Sequence, residues 1–148
     1  MATLTVTLTE SVSLNSREQG GTSSFTVASI DEVMKRTVTC PTSATTTVAT
    51  FATATSTSAG AIDAQDCKYI RVTNLDSANG VELAVVGAAT LYQVTLAAGQ
   101  SHVLGSPSVL MLAEADTSPS FGTMADVASL QVKPLSDAVT VEVFAASA

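Results

Sequence analysis

The chain has 148 residues, a length that fits one domain large enough to bury a core of its own. Hydrophobic residues make up 46% of the chain but aromatic residues only 4%, so Ala, Val and Leu supply its apolar mass. The 13 acidic and 6 basic residues give a net charge of −7, which a phosphate backbone would repel, and we therefore expect no nucleic acid as a partner.

The first predicted element is an N-terminal strand. Thr or Ser alternates with an aliphatic residue through residues 3–14, a period of two that suits a strand and not a helix. A predicted loop over residues 15–21, rather than a tight turn, follows this strand, so we expect it at a sheet edge with unpaired backbone groups. The contact that we predict with a neighbouring subunit comprises Thr3, Leu4, Thr5, Val6, Thr7, Leu8 and Thr9.

Strand signals continue up to residue 52. Residues 33–40 predict one strand, and the segment 30–34 at its start fits either one helical turn or a hairpin loop. The Thr-rich residues 45–52 predict the next strand, because β-branched side chains favour strands over disorder. A long flexible connection is then predicted over residues 53–64.

A polar segment between two alternating runs raises the question of a site. Residues 69–74 and 81–85 alternate as two strands, in which Ile70 and Val72 are predicted to point inward. The Asn-Gly pair between them is the strongest short hairpin signal. A calcium loop of the EF-hand type would need a Glu at its twelfth position, where this chain has Val85. We therefore predict a hairpin turn formed by Asn74, Asp76, Asn79 and Gly80.

The remaining strands follow at short intervals. Residues 91–96 and 101–104 predict two strands around a turn at residues 97–100. Residues 109–115 are apolar on both faces, which predicts a central strand or one covered on its outer side, and a loop follows up to residue 126. The last two predicted strands are residues 129–133 and 138–144.

These signals together predict an all-β fold. About nine to ten short antiparallel strands separated by turns are typical of a sandwich, a jelly roll or a barrel. We predict a single-domain β-sandwich or jelly roll over residues 1–148, of which residues 1–21 form the N-terminal strand and its loop.

Catalytic chemistry is not predicted. The only histidine, His102, directly follows Ser101, and neighbours on a strand point to opposite faces, so the two cannot form a nucleophile–base pair. Two acidic pairs stand in loop-like sequence with nothing nearby to perturb a pKa, and we interpret them as solvated surface. They are Asp63 with Asp66, and Glu114 with Asp116.

We also expect no metal, cofactor or membrane partner. Two cysteines and one histidine at unrelated spacings are too few ligands for a metal site. Cys40 and Cys67 each lie beside a strand signal, and we expect buried thiols, although the sequence leaves a disulfide between them open. No apolar run approaches the about 18 residues that cross a bilayer, and we expect a soluble protein made in the cytoplasm.

A resemblance to a known class rests on three stretches of the chain. They are V-M-K-R-T-V-T-C-P-T-S-A-T-T-T-V-A-T-F, Y-I-R-V-T-N-L-D-S-A-N-G-V-E-L and L-Y-Q-V-T-L-A-A-G-Q-S-H-V-L. Together they resemble small virion structural proteins of tailed phages, over about residues 25–115. The chain departs from that pattern in its Ala-rich connections and in its two cysteines.

The resemblance implies a protein of the virion that is not an enzyme. Its expected role is to decorate and cement the capsid, with the major capsid protein or other virion proteins as partners. The alternatives are a neck, tail or head-fibre component and, from a different class, a glycan-binding adhesin module. By analogy with shell-binding proteins on threefold axes, the expected self-association is a homotrimer.

Overall fold

The computed structural model describes residues 1–58, 60–89, 91–113, 118–119 and 121–148, and only the backbone of Thr57. Over these residues the chain forms 13 strands and one turn of 3-10 helix at Thr55–Thr57, and the all-β prediction is confirmed. The strands are β1 (Ala2–Glu10), β2 (Ser13–Leu14), β3 (Arg17–Glu18), β4 (Gly21–Ile30), β5 (Glu32–Cys40), β6 (Thr46–Ala52), β7 (Ile62–Asp63), β8 (Cys67–Asn74), β9 (Val81–Gly87), β10 (Leu91–Leu96), β11 (Ser101–Leu104), β12 (Val127–Pro134) and β13 (Val139–Ser147).

Two sheets built from these described strands pack face to face as a sandwich. The four-stranded sheet has the order β11-β8-β13-β5, and the five-stranded sheet has the order β10-β9-β12-β6-β7. Neighbouring strands are antiparallel except for the short parallel pair of β6 and β7. The hairpin of β1 and β4 and the small pair of β2 and β3 stand outside the sandwich.

The order of the strands is that of a jelly roll. When the eight sandwich strands β5, β6 and β8–β13 are numbered one to eight along the chain, the two sheets read 6-3-8-1 and 5-4-7-2. The chain therefore crosses between the sheets at nearly every connection, which is how two interleaved Greek keys are built. Of the two alternatives within the predicted fold class, the jelly roll is the one that this topology describes.

The core lies between the sheets and is almost entirely aliphatic. Alternate residues of each strand point inward, as the period of two requires, and the prediction that Ile70 and Val72 point inward is confirmed. The buried side chains that fill the centre include Val48, Val81, Leu83, Val85, Leu130, Val132, Val139, Val141 and Val143.

The predicted hairpin between β8 and β9 is wrong. The two strands lie in different sheets, so the segment between them, residues 75–80, crosses the edge of the sandwich. Neither Asn79 nor Gly80 has the positive φ that the predicted two-residue turn requires. Sequence alternation identified both strands but carries no information about which sheet each one joins.

The central strand predicted at residues 109–115 is also wrong over its described part, residues 109–113. Only Met111 makes a strand-like bridge there, to Ala125, while Val109 and Leu112 are exposed. These residues belong to the long connection between β11 and β12. The end of the predicted strand at residues 114–115 lies outside the described residues.

The two cysteines are buried free thiols, as expected. Cys40 pairs with Val139 at one end of β13, and Cys67 pairs with Ser147 at the other end. Eight residues of strand place them about 26 Å apart, whereas a disulfide needs Cα atoms within about 7 Å. A bond between them is therefore excluded, and burial raises the pKa of both thiols above the ordinary value.

Burial in the core predicts how much the truncation of an aliphatic side chain lowers the free energy of unfolding. Leu130 on β12 is fully buried between the sheets, so Leu130→Ala should lower the free energy of unfolding by about 3 kcal/mol through lost burial and a new cavity. Leu91→Ala is the matched control, because Leu91 is 55% exposed at the sheet edge and its truncation should cost less than about 1 kcal/mol. Chemical denaturation measures both, and equal losses would contradict the assigned core.

Candidate functional site

The N-terminal strand is one half of a long hairpin that we call the arm, residues 2–30. Strand β1 pairs along its length with β4, in a register that sets Val6 opposite Phe25 and Leu8 opposite Ser23. Among the described strands β1 pairs with β4 alone and so lies at a sheet edge, as predicted, but the loop predicted over residues 15–21 is wrong, because that segment continues the hairpin. Two signals in the sequence pointed to this partner: the alternation over residues 22–27 and the turn-forming Asn-Ser and Gly-Gly pairs between the strands.

The tip of the arm is closed by a tight turn. Asn15 and Ser16 both have positive φ, 52° and 61°, as a two-residue hairpin turn between β2 and β3 requires. The carboxylate of Glu18 accepts hydrogen bonds from the backbone N–H groups of Val12 (2.9 Å) and Gly20 (2.8 Å). These donors hold the pKa of Glu18 below its ordinary value. The tip is thus an ordered continuation of the ribbon.

The two faces of the arm differ in chemistry. One face carries hydroxyl side chains in facing pairs, with Thr7 opposite Ser24 and Thr9 opposite Thr22, whose Oγ1 atoms lie 3.3 Å apart. The other face carries aliphatic and aromatic side chains. They are Leu4, Val6 and Leu8 on β1 and Phe25 and Val27 on β4, and the same face also carries Ser23, opposite Leu8, and Glu10, opposite Gly21.

The base of the arm is anchored on the outer face of the four-stranded sheet. Leu4, Val6 and Val27 pack there against a cluster that includes Tyr69 and Phe144. The rings of Phe25 and Tyr69 are 6.1 Å apart, and those of Tyr69 and Phe144 are 6.0 Å apart. Tyr69 faces away from the core between the sheets, but the arm covers it and leaves it only 5% exposed.

Beyond this base the apolar face of the arm is open to solvent. Leu8 and Leu14 are each 62% exposed and Val12 is 53% exposed. From Leu8 to the turn at Asn15, the ribbon extends about 23 Å. Of the predicted subunit-contact residues, Leu4 and Val6 thus serve the arm's own anchor, while Thr7, Leu8 and Thr9 begin the exposed part.

The residues predicted to form a turn do come together. They form a hydrogen-bonded cluster at one end of the sandwich, which we call the knot. Asn74 is fully buried, and its Nδ2 donates to the carbonyl oxygens of Asn79 (2.8 Å), Leu96 (3.2 Å) and Ala97 (3.1 Å). Its Oδ1 accepts a hydrogen bond from the N–H of Asp76 (3.0 Å). The amide of Asn74 therefore joins its own loop to the turn between β10 and β11.

Asp76 and Asn79 extend this knot. The Asp76 Oδ1 accepts hydrogen bonds from the N–H groups of Ala78 (2.8 Å) and Asn79 (2.7 Å), which hold the pKa of Asp76 below its ordinary value. The Asn79 Oδ1 accepts one from Ser136 in the turn between β12 and β13 (2.8 Å). We call the end of the sandwich that holds Asn74, Asp76, Asn79 and Ser136 the tied end. The side-chain oxygens of Asn74 and Asp76 face backbone donors of their own turn, which is the geometry of a structural turn.

A polar ladder crosses the outer face of the four-stranded sheet. Glu142 binds Lys35 (3.1 Å) and Arg71 (2.7 Å), and Arg71 also donates to the Thr73 Oγ1 (2.7 Å). The ladder continues to Ser101, whose Oγ lies 2.7 Å from that of Thr73. The hydrogen bonds from Lys35 and Arg71 hold the pKa of Glu142 below its ordinary value. Each group in the ladder thus has a partner on a neighbouring strand.

Ser101 and His102 point to opposite sides of β11, as predicted. Ser101 joins the outer ladder, whereas His102 Nε2 lies 3.2 Å from the hydroxyl of Tyr92 on the opposing sheet. Burial lowers the pKa of His102 and raises that of Tyr92. This pair joins the edges of the two sheets and separates the histidine from the serine hydroxyl.

The other candidate groups do not converge. The Asp63 Oδ1 accepts hydrogen bonds from the N–H groups of Gln65 (2.8 Å) and Asp66 (3.4 Å), so it shapes its own turn. Glu114 and Asp116 lie outside the described residues. Across the part of the chain that is described, three or more His, Cys, Asp or Glu side chains are nowhere grouped to hold a metal ion. Over the same residues, no helix is long and apolar enough to cross a membrane.

The comparisons with known proteins give one structural similarity. No protein-family profile matches the sequence, and no curated protein sequence matches it. The chain is similar to a solved structure described as "Bacillus endospore appendages form a novel family of disulfide-linked pili", with a TM-score of 0.43 and 11% identity over 77% of this chain and 84% of that chain. A similarity at this level carries no argument about function. The resemblance to phage virion proteins has no support from the sequence comparisons and stays a hypothesis.

The knot predicts the effect of removing its central amide. Asn74→Ala should lower the free energy of unfolding by about 3 kcal/mol, because three carbonyl oxygens and one N–H each lose a hydrogen bond to this buried amide. Ser77→Ala in the same loop is the control, since Ser77 is exposed and should change stability by less than about 0.5 kcal/mol. Thermal and urea denaturation that fail to separate the two variants would rule out this role of Asn74.

The polar ladder predicts a pH dependence. The lowered pKa of Glu142 means that its ion pairs contribute stability above the ordinary glutamate pKa, and that this contribution disappears as the pH falls through the folded-state value. Glu142→Gln should therefore be less stable than the wild type at neutral pH, with a difference that shrinks as the pH falls below 4 to roughly 3. Glu10→Gln, on the exposed arm, is the control variant, and urea denaturation across this range measures both. A constant difference for Glu142→Gln would argue against the ion pairs.

Proposed function

We propose that this protein is a structural component of a phage virion, a decoration protein that stabilises the capsid shell by protein–protein contacts. The observation that carries the proposal is the arm, which extends about 23 Å from Leu8 to its turn and exposes Leu8, Val12 and Leu14 there. A two-stranded ribbon is marginally stable when isolated in water, and its open edges and apolar side chains favour a protein neighbour.

The body of the protein supports a contact role over a catalytic one. In the described residues the Ser101, Glu142 and Asp76 side chains are engaged in ladders and turns rather than directed into a common cavity. The jelly-roll architecture occurs in capsid proteins and in lectins, so it agrees with the proposal without deciding it. The step from a structural protein to a phage shell rests on the three sequence stretches that resemble virion proteins.

The proposed partners are the major capsid protein or another virion protein, together with copies of this chain. The exposed hydroxyl and aliphatic side chains of the arm suit an extended contact surface, on which about 800 Å² per partner holds a complex without a single dominant charge. A homotrimer is the proposed oligomer, by analogy with proteins that occupy threefold positions on shells. The protein would then be found in the virion after synthesis in the host cytoplasm.

Binding to particles tests this function. Purified protein mixed with phage particles that lack it should bind saturably, at a fixed ratio to the major shell protein, and should raise the temperature at which the particles release their contents. Binding at the single tail-bearing vertex would instead favour a neck or tail component. A protein that ignores particles but binds a glycan array would overturn both structural assignments.

A shortened arm provides the matched variant. Joining Thr7 directly to Ser24 through an Asn-Gly turn keeps these paired residues in register and keeps the anchor of Leu4, Val6 and Val27 on Tyr69. This variant should keep the melting temperature of the body within about 4 °C of the wild type, while particle binding or self-association falls at least tenfold. Loss of the fold together with binding would show that the distal arm belongs to the core.

A further inference from the structure

The Asn79-Gly80 pair at the tied end combines a structural role with chemical reactivity. In a flexible Asn-Gly segment the backbone nitrogen of the glycine can attack the side-chain carbonyl carbon of the asparagine, because glycine has no Cβ to obstruct the approach. The chain has three asparagines, Asn15, Asn74 and Asn79, and only Asn79 precedes a glycine. Both residues of the pair are half-buried, so water can reach them.

The reaction is a deamidation, and its only co-reactant is water. The glycine nitrogen loses its proton and bonds to the asparagine Cγ, while the Cγ–Nδ2 bond breaks and the side-chain nitrogen takes up a proton and leaves as ammonia. Water then opens the resulting cyclic imide. Opening at Cγ gives an aspartate, whereas opening at the backbone carbonyl carbon gives an isoaspartate, in which the main chain runs through Cγ. The asparagine and one water thus become an acidic residue and ammonia, without oxidation or reduction.

The folded knot holds the groups that this attack must move. The Asn79 Oδ1 accepts a hydrogen bond from the Ser136 hydroxyl (2.8 Å), and the Asn79 side chain also bonds to the Asp76 carboxylate. The backbone N–H of Asn79 donates to that carboxylate (2.7 Å), and the Asn79 carbonyl oxygen accepts from Asn74 Nδ2 (2.8 Å). The side chain and the peptide group must rotate before the nitrogen of Gly80 can reach Cγ, and this rotation breaks these bonds.

The product of the reaction cannot rebuild the knot. A carboxylate only accepts hydrogen bonds, so the loss of the side-chain nitrogen removes the donor to Asp76. It also places a second negative charge beside the Asp76 carboxylate, which raises the free energy of the closed knot. An isoaspartate would in addition lengthen the main chain directly before β9 and displace the carbonyl oxygen that Asn74 binds.

We infer that Asn79 is a deamidation site that the knot protects, so that modification occurs when the tied end opens and then prevents the knot from closing again. The rate in the folded protein is the rate in the open segment multiplied by the fraction of time that the segment is open. The inference goes beyond the proposed function and does not depend on it, because the chemistry lies within a single chain.

Peptide mass spectrometry tests the protection, because fragmentation locates the deamidated asparagine after incubation in mildly alkaline buffer. In the folded wild type, Asn79 should react at least about tenfold more slowly than in the chain denatured with guanidinium, as a local opening of about 1.4 kcal/mol or more requires. Asn15 lies at the arm tip, outside the knot. Its rate should be the same in every folded variant and serves as the internal reference.

Two variants loosen the knot, and a third is their matched control. Asn74→Ala removes the bond to the Asn79 carbonyl oxygen and should raise the rate at Asn79 by about tenfold, whereas Ser136→Ala removes the bond to Oδ1 and should raise it about threefold. Leu130→Ala should cost a similar amount of stability to Asn74→Ala but keeps the knot, so its rate should stay within about twofold of the wild type. Circular dichroism checks that each variant is folded during the incubation.

Two further variants test the chemistry and its consequence. Gly80→Ala adds a Cβ beside the attacking nitrogen, so Asn79 should react more slowly than in the wild type when both chains are denatured. That comparison does not involve the fold. Asn79→Asp carries the charge of the product and should have a lower melting temperature than the wild type.

Four results would overturn the inference. They are no deamidation of Asn79 in the denatured wild type, equal rates in the folded and denatured wild type, equal acceleration by Leu130→Ala and Asn74→Ala, and wild-type stability of Asn79→Asp. The third of these would show that the whole sandwich must open rather than the knot. Particle binding by the unmodified wild type tests the proposed function separately, and neither outcome there changes the reading of these rates.

Discussion

The buried amide of Asn74 is the interaction on which the form of the sandwich depends. A jelly roll carries the chain across the gap between its sheets, and such crossings cannot be held by the hydrogen-bond ladder of either sheet. Asn74 replaces that ladder by bonding to the carbonyl oxygens of Leu96 and Ala97, while Asn79 reaches Ser136. Because the connections at this end are short and bonded together, the longer segments leave from the opposite end, where the arm and the residues after β11 are found.

The sequence was informative about strands and uninformative about how they pair. Alternation placed β10 and β11 at the residues observed, since the period of two depends only on which face of a strand is buried. The same alternation could not show that β8 and β9 belong to different sheets, because an Asn-Gly pair suits a hairpin and a crossing loop alike. At residues 109–113 the apolar run was misread as a central strand, since an apolar surface segment and a strand buried on both faces have similar compositions.

Only part of the candidate site could be predicted from the sequence, because alternation shows the faces of a strand but not its distant contacts. The Thr-aliphatic repeat of residues 3–9 shows a ribbon with two different faces, and an exposed edge follows from it. The repeat does not show that Leu4 and Val6 pack in the arm's own anchor. Their contacts, Tyr69 and Phe144, are distant in sequence and meet the arm only in the fold. The apolar residues left exposed, Leu8, Val12 and Leu14, are the part of this pattern that the fold does not use.

The chemistry of the arm also constrains how a neighbour can receive it. A half-turn of the ribbon about its long axis would exchange the aliphatic face for the hydroxyl face of Thr7, Thr9 and Ser24. Burial in an apolar surface would then leave hydroxyl groups without partners, which costs free energy. A chain with 13% charged residues has few ion pairs with which to set the orientation of a contact. The difference between the two faces of the ribbon can set it instead, because only one orientation buries the aliphatic side chains and keeps the hydroxyl groups in water.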